Sequence, residues 1–161
     1  MRPAVSLEAI EAVYRTRATD FFRFALAKCG DPERARDAVQ DGFAHAIRSR
    51  ATFRGTGPLE AWVARCVINA AHDRNRVAVG HLEPEDVAAD LVIESDVGAA
   101  VIRAALRRLP PRQRDALFLR HYLDLDYHAI AEVLEVELGT VSATLHAARN
   151  SLRDALQEVP R

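Results

Sequence analysis

Residues 109–152 read LPPRQRDALFLRHYLDLDYHAIAEVLEVELGTVSATLHAARNSL, and this stretch predicts how the second half of the chain folds. Pro110 and Pro111 end one helix and begin the next, because proline is tolerated only in the first turn of a helix. Apolar residues then recur every three or four positions on both sides of a break at 135–138. Helix, tight turn and helix at this spacing predict a helix-turn-helix whose second helix begins around Gly139 and Thr140. The predicted apolar positions are Phe118, Tyr122 and Leu125 on the helix after the two prolines, and then, in the helix-turn-helix, Tyr127, Ile130, Ala131, Leu134, Val141, Leu145, Ala148, Leu152 and Leu156.

A second helical block lies at residues 37–76, DAVQDGFAHAIRSRATFRGTGPLEAWVARCVINAAHDRNR. Its two apolar stripes are separated by residues 50–58, where two glycines and Pro58 interrupt the periodicity and predict a loop. The proline is well placed in the first turn of the following helix. Upstream, Asp31 is available as an N-cap, with Pro32 at the next position. The predicted core-facing residues are Val39, Phe43 and Ile47 on the first stripe and Leu59, Trp62, Val63, Cys66, Val67 and Ala70 on the second.

The 161 residues, 49% of them apolar, predict an all-α protein. Helix-forming residues dominate, and the alternation typical of strands is absent. A chain of this length can bury one ordinary core or two small ones. The pattern favours two small helical domains, at residues 1–78 and 97–161. Residues 79–96 carry acidic side chains and no Lys or Arg, so they predict an acidic linker, with a solvated loop as the alternative.

The formal net charge of −1 conceals a difference between the two halves of the chain. Residues 1–80 hold 13 Lys and Arg against 9 Asp and Glu, whereas residues 81–161 hold 9 against 14. Attraction to nucleic-acid phosphates is therefore expected mainly in the first half.

Composition and spacing also exclude several classes of protein. No apolar segment approaches the roughly 20 residues needed to cross a bilayer, and no signal peptide is apparent, so we expect a soluble cytoplasmic protein without membrane insertion. Cys29 and Cys66 lack paired spacing and predict buried free thiols and no metal, although a site that also drew in His45 and His72 is the alternative. No glycine-rich phosphate loop or nucleophile–base signature is present, so no catalytic residue and no cofactor is expected.

The residues 109–134, followed by Gly139-Thr140-Val141, resemble region 4 of the sigma-70 family of transcription initiation factors. In the first block, DAVQDGFAHA at 37–46 resembles region 2.2, and FRGTGPLEAWVARCVINAAHDRNR at 53–76 resembles regions 2.3 and 2.4. Helix-turn-helix patterns are common in unrelated regulators, but this order of two different modules is much more specific. Without regions 1 and 3, the layout is that of the extracytoplasmic-function (ECF) subgroup.

The resemblance implies that the protein binds core RNA polymerase, through the beta-prime clamp and the beta flap. Asp37, Gln40 and Asp41 match the motif of region 2.2, the helix that docks on the clamp. Their spacing of three and four residues places them on one helical face. The alternative for these three side chains is ordinary solvated helix surface.

The resemblance of residues 53–76 to regions 2.3 and 2.4 implies that they melt and recognise the minus-ten promoter element. A protein that binds unpaired bases better than duplex shifts promoter DNA toward the melted state without a catalytic group. By resemblance, the loop at 50–57 would hold a flipped-out base. For Trp62, core packing is favoured over stacking on a base, because it shares the stripe of Val63 and Val67. The candidate DNA-binding residues are Arg54, Thr56, Arg65, Asn69, Arg74 and Arg76, whose guanidinium, hydroxyl and amide groups suit phosphates and base edges.

The second helix of region 4 is expected to enter the major groove of the minus-thirty-five element, with Thr140 capping it. The family pattern there is similar to GTVKSRLHRAR, but this chain has Ser142, Thr144 and Ala147 at three basic positions, and no Lys or Arg between residues 120 and 149. Losing three phosphate contacts lowers affinity by orders of magnitude. The candidate minus-thirty-five contacts are Thr140, Ser142, Thr144, His146 and Arg149.

Two interpretations follow from that departure. The favoured one is a weak or specialised ECF sigma factor, whose tethering to polymerase supplies the effective concentration that a poor recognition helix lacks. The alternative is a sigma-like regulatory protein whose region 4 binds a protein partner instead of DNA. The family also implies an anti-sigma partner. Glu135 stands where the family normally has glycine, and a left-handed backbone there would cost on the order of 1 kcal/mol.

Overall fold

The computed structural model describes residues 4–78 and 97–158, so the predicted linker at 79–96 lies outside the described residues. Within them the fold is all-α, as predicted, with seven α-helices, one short 3-10 helix and no strand. They divide into two compact units, α1–α3 and α4–α7. For residues 75–78, 97, 99, 100 and 103 only the backbone is described. The helices are α1 Leu7–Cys29, α2 Pro32–Arg48, α3 Leu59–Ala78, α4 Val97–Arg107, α5 Pro111–His121, α6 Tyr127–Leu134 and α7 Leu138–Gln157, and the 3-10 helix is Arg50–Thr52.

Local capping chemistry sets the helix boundaries of the first unit. Gly30 ends α1 in a left-handed backbone conformation, with φ of 67°. Glycine adopts this conformation without the steric cost that a Cβ atom would impose. Asp31 then caps α2, accepting a 2.8 Å hydrogen bond from the backbone N–H of Arg34, and Pro32 is the first helical residue. Both predictions for this turn are confirmed. The predicted loop at 50–58 forms in part, because its first three residues are the 3-10 helix Arg50–Thr52. Pro58 lies immediately before α3 and not in its first turn, and its carbonyl accepts from the N–H groups of Ala61 and Trp62.

The core of the first unit forms where α2 packs against α1 and α3. Val39, Phe43, Val63 and Val67 are buried as predicted, but Ile47 is 41% exposed. Ile47 lies in the last turn of α2, one turn beyond Phe43, where the chain leaves the α1–α3 core for the loop. Periodicity places it on the correct face but does not show where the neighbouring helices stop. The remaining residues of the second stripe are Cys66, which is buried, and Leu59, Trp62 and Ala70, which are partly buried.

The second unit is a helix-turn-helix braced by α4 and α5. Pro111 begins α5 and Pro110 precedes it, as predicted. Asp126 caps α6 by accepting from the N–H of Ala129 at 2.8 Å. Half of the predicted apolar positions are buried, and most of the others are partly buried. Tyr122 is 47% exposed and Leu156 is 37% exposed, because both lie at the ends of their helices. The buried members of the predicted stripe are Phe118, Leu125, Ile130, Val141, Leu145 and Ala148, while Tyr127, Ala131, Leu134 and Leu152 are partly buried.

The start of α7 differs from the prediction that Thr140 caps it. The helix begins at Leu138, so Thr140 lies in its first turn and Glu137 occupies the N-cap position. The carbonyl of Glu137 accepts from the N–H groups of Thr140 and Val141 at 3.0 and 3.2 Å. An N-cap residue has extended backbone dihedrals, and Glu137 has them, with φ of −67° and ψ of 152°.

The turn of the helix-turn-helix contains a non-glycine residue in the left-handed region. Glu135 ends α6 with φ of 55° and ψ of 47°, a conformation that glycine adopts without steric cost but that a residue with a Cβ atom adopts at a cost. We expect Glu135→Gly to raise the free energy of unfolding of the second unit by about 0.5 to 1 kcal/mol, after the added entropy of glycine in the unfolded chain. Thermal unfolding followed by circular dichroism measures this. Glu132→Gly, inside α6, is the matched control and should destabilise by about 1 kcal/mol; equal losses in both variants would contradict the strain at Glu135.

None of the described helices combines the length and the apolar character that a membrane crossing requires.

Candidate functional site

The helix α2 presents one polar face outward and one apolar face inward. Asp37, Gln40 and Asp41, the predicted polymerase-binding residues, are all exposed on the outward face. They lie within one turn of each other and hence are available together to a partner. The buried residues of the inward face are Ala35, Ala38, Val39, Gly42, Phe43 and Ala46.

A basic side chain from α3 joins this polar face. The Arg74 guanidinium donates from Nε to Oδ2 of Asp41 at 3.0 Å and from a terminal nitrogen to Oδ2 of Asp37 at 3.2 Å. Its other terminal nitrogen also contacts Asp41. The hydrogen bond with Asp41, together with the attraction of both carboxylates, raises the pKa of Arg74 above its ordinary value, so the guanidinium stays charged.

Sequence reasoning placed Arg74 with the DNA-binding residues and missed this pairing. A signal was available in the helical register, because Arg74 lies seven residues, or about two turns, after Val67. Val67 is fully buried and contacts Gly42 of α2. A residue two turns further on the same side of α3 therefore lies beside α2.

The loop before α3 carries two of the predicted minus-ten contacts. Arg54 and Thr56 are exposed, and Gly55 between them has a positive φ of 66°. The rings of Phe53 and Trp62 pack at 5.5 Å with an interplanar angle of 51°. Trp62 is partly buried and supports the loop from α3, so the predicted core packing of Trp62 is met in part.

The remaining minus-ten candidates lie along α3. Arg65 and Asn69 are exposed and four residues apart, so they share a helical face. Arg74 lies about 180° around the helix from Arg65 and does not join them. The side chain of Arg76 lies outside the described residues.

The candidate minus-thirty-five contacts lie on α7. Thr140, Ser142, His146 and Arg149 are exposed and Thr144 is partly buried. The ring of His146 is 3.2 Å from the side-chain amide of Asn150, one turn later. The residues that precede α7, at 121–137, carry five acidic side chains that are also exposed. They are Asp124, Asp126, Glu132, Glu135 and Glu137.

The two cysteines are buried, as predicted, and free. Burial raises the pKa of the Cys66 thiol to about 11 and raises that of Cys29 as well. In the part of the chain that the structure describes, no three His, Cys, Asp or Glu side chains come together as a metal site. Cys29, His45, Cys66 and His72, all within the described residues, therefore do not form a metal site.

These pKa shifts predict chemically inert thiols. Because the thiolate is the reactive form, we expect neither cysteine to react with a disulfide reagent at about pH 8 until the protein unfolds. Burial raises the pKa of both thiols above the value in the unfolded chain, so the folded state favours the neutral thiols. The stability that the buried neutral thiols contribute is therefore fully present below the ordinary thiol pKa, and for Cys66 it is lost as pH rises toward about 11. Labelling followed by mass spectrometry, with and without denaturant, measures this. Rapid labelling of the folded protein would contradict it.

Both helical units of the chain are similar to known families. Residues 13–79 match the family model for sigma-70 region 2, and residues 99–152 match that for sigma-70 region 4. The RNA polymerase sigma-H factor of Pseudomonas aeruginosa is 32% identical over 150 residues, covering 81% of this chain and 77% of that protein. The ECF RNA polymerase sigma factor SigM of Mycobacterium tuberculosis is 33% identical over 151 residues, covering 89% and 75%. The chain is an RNA polymerase sigma factor of the sigma-70 family, in the ECF group.

The solved structures agree with the fold of this sigma factor. The sigma factor RpoE from Bartonella quintana, solved in complex with the anti-sigma factor NepR, superposes with a TM-score of 0.78 at 21% identity, covering 96% of this chain and 100% of that chain. Sigma factors initiate transcription and are not enzymes. In this sigma factor, Asp37, Gln40 and Asp41 lie in the region 2 match and the α7 candidates in the region 4 match.

Proposed function

We propose that this sigma factor docks on core RNA polymerase through the outward face of α2, with Asp37, Gln40 and Asp41 as the contact residues. The observation that carries the proposal is the joint exposure of these three side chains on a helix whose opposite face is buried. Two carboxylates and an amide suit basic and polar groups on a polymerase coiled coil, and by resemblance that surface is the beta-prime clamp. A factor working on polymerase acts in the cytoplasm.

The minus-ten element is read by the loop at 50–57 and the exposed face of α3. Arg54, Thr56, Arg65 and Asn69 supply donors for phosphates and base edges, and Arg76 follows them along the chain. The Phe53–Trp62 contact supports the loop, so less ordering is required when an unpaired base binds. Tighter binding to unpaired bases than to duplex drives melting.

Region 4 contributes less to DNA affinity. The candidates on α7 include one charged side chain, Arg149, and the nearby acidic residues repel phosphate. Tethering through region 2, and by resemblance through the beta flap, keeps α7 near the promoter despite weak intrinsic affinity. The same acidic exposure favours the second candidate function, in which this unit binds a basic protein partner instead of DNA.

An anti-sigma protein is a further proposed partner. Two solved structures that have this fold are complexes. One is a sigma factor in complex with the anti-sigma factor NepR, and the other is CnrH in complex with the cytosolic domain of CnrY. A protein that covers the outward face of α2 would compete with polymerase.

Run-off transcription tests the docking proposal. Core polymerase, pooled genomic DNA fragments and the wild-type protein should yield discrete transcripts, and the Asp37→Ala/Gln40→Ala/Asp41→Ala variant should lose nearly all of them. The matched control is Glu8→Ala/Glu11→Ala, which removes two exposed carboxylates from α1 and should leave transcription unchanged.

The outcomes separate the two candidate functions. Loss of transcripts together with loss of co-purification with core polymerase supports docking through α2. Wild-type protein that co-purifies with polymerase but yields no transcript supports the alternative, a sigma-like regulator. A triple variant that transcribes like wild type would refute the assignment of these residues.

A further inference from the structure

We infer that Arg74 is a positioning residue of the polymerase-docking face, and not a DNA contact: it holds the carboxylates of Asp37 and Asp41 in the arrangement that polymerase binds. The inference rests on the proposed docking role of α2. The sequence pattern placed Arg74 among the residues that bind the minus-ten element, whereas the packing of α2 against α3 supports a role on the docking face.

The first observation is the register of α3. Arg65 and Asn69 lie on the exposed face that is proposed to read DNA, whereas Arg74 lies about 180° from Arg65. Arg74 instead follows Val67 by about two turns on the side that packs against α2. From that position, its guanidinium reaches α2 and lies away from the DNA-facing side chains.

The second observation is the way Arg74 contacts the two carboxylates. It bonds Oδ2 of Asp37 and Oδ2 of Asp41, and these contacts leave the Oδ1 atoms for a partner. Both aspartate side chains remain more than half exposed, at 52% and 57%, while that of Arg74 is 33% exposed. The bridge therefore restrains the two carboxylates without covering them.

The charges of the two carboxylates also require a cation between them. Asp37 and Asp41 are one turn apart, and two negative charges at this spacing repel each other. Without a cation between them the side chains would separate into different rotamers. Arginine can bind two carboxylates at once through its planar fork, which a lysine ammonium cannot match. Side chains already ordered lose less entropy on binding.

The inference predicts a specific pattern of affinities for core polymerase, measured by titrating core polymerase into fluorescently labelled full-length protein. Arg74→Ala should weaken binding about three- to tenfold, the loss expected when one or two side chains must be ordered on binding. Arg74→Lys should fall between wild type and alanine. In an Asp37→Asn/Asp41→Asn background, Arg74→Ala should cause no further loss, because its effect acts through the carboxylates.

The matched control is Arg15→Ala, which breaks an exposed arginine–carboxylate pair with Glu11 in the same unit and should leave core affinity unchanged. Equal thermal unfolding of the Arg74 variants and wild type excludes a general loss of structure. A second readout is binding of the assembled holoenzyme, at saturating core, to a single-stranded oligonucleotide from a transcribed promoter. This affinity should be unchanged in Arg74→Ala.

Two other outcomes are decisive. Unchanged core affinity in Arg74→Ala, with weakened oligonucleotide binding, would overturn the inference and return Arg74 to the DNA-binding set while the docking proposal stands. Unchanged core affinity in Asp37→Asn/Asp41→Asn would refute the docking proposal itself, and the inference with it.

Discussion

Gly42→Ala is expected to lower the free energy of unfolding of the first unit by about 2 kcal/mol, although alanine is the better helix former. Gly42 lies inside α2, where glycine normally costs up to about 1 kcal/mol relative to alanine. A Cβ atom there would lie 2.6 Å from Cα and 2.9 Å from the backbone nitrogen of Val67. Backbone atoms cannot rotate away, so α2 and α3 would have to separate around the buried Val63 and Val67.

Thermal unfolding of the full-length protein measures this loss, which corresponds to roughly 8 to 16 °C for a unit of this size. The matched control is Gly139→Ala in α7, where a Cβ would meet no atom within 4 Å. That variant should be unchanged or more stable by up to about 1 kcal/mol. If both substitutions had the same effect, the close approach of α2 and α3 would not be the reason for glycine at position 42.

Restoring basic residues to α7 is expected to strengthen duplex DNA binding by about 10²- to 10³-fold at roughly 0.1 M salt. Ser142→Lys, Thr144→Arg and Ala147→Arg together place three cations on the helix proposed to face DNA. Each new phosphate contact steepens the dependence of log K on log salt by about 0.9, so the combined slope should steepen by about 2.7. The change should be nearly independent of sequence, because phosphates carry no sequence information.

Fluorescence anisotropy with a mixed-sequence duplex of about 30 base pairs, titrated at several salt concentrations, measures both quantities. Asp154→Lys/Gln157→Lys is the control, because it adds the same net charge to exposed positions at the far end of α7. This control should gain less affinity and less slope. If the Ser142→Lys/Thr144→Arg/Ala147→Arg variant gained no more DNA affinity than the control, these three positions of α7 would not face DNA. The protein-binding alternative for region 4 would then be favoured.

Much of the fold was predictable because its signals are local. Asp31, Pro32 and Pro111 act within their own first turns, and the turn between α6 and α7 appears where the periodicity breaks. The errors occurred where a neighbouring element decides. Ile47 and Tyr122 follow the apolar stripe but are exposed, because each lies at the end of its own helix.

The candidate site shows the same division. The exposure of Asp37, Gln40 and Asp41 followed from a pattern within one helix. Trp62 was assigned to the core from its stripe, but its position against Phe53 depends on the path of the preceding loop. The assignment of Thr140 as a cap was wrong because α7 begins two residues earlier, at Leu138.

The sequence alone determined the helical class of this protein, the order of its two modules, its membership of the sigma-70 family and most helix ends, since each depends on residues a few positions apart. Only the tertiary structure decided what Arg74 touches. Its partners are 33 and 37 residues away, and they meet it because Gly42 lets α2 approach the backbone of α3 at Val67. A contact of that kind depends on how two helices pack, which no periodicity within either helix specifies.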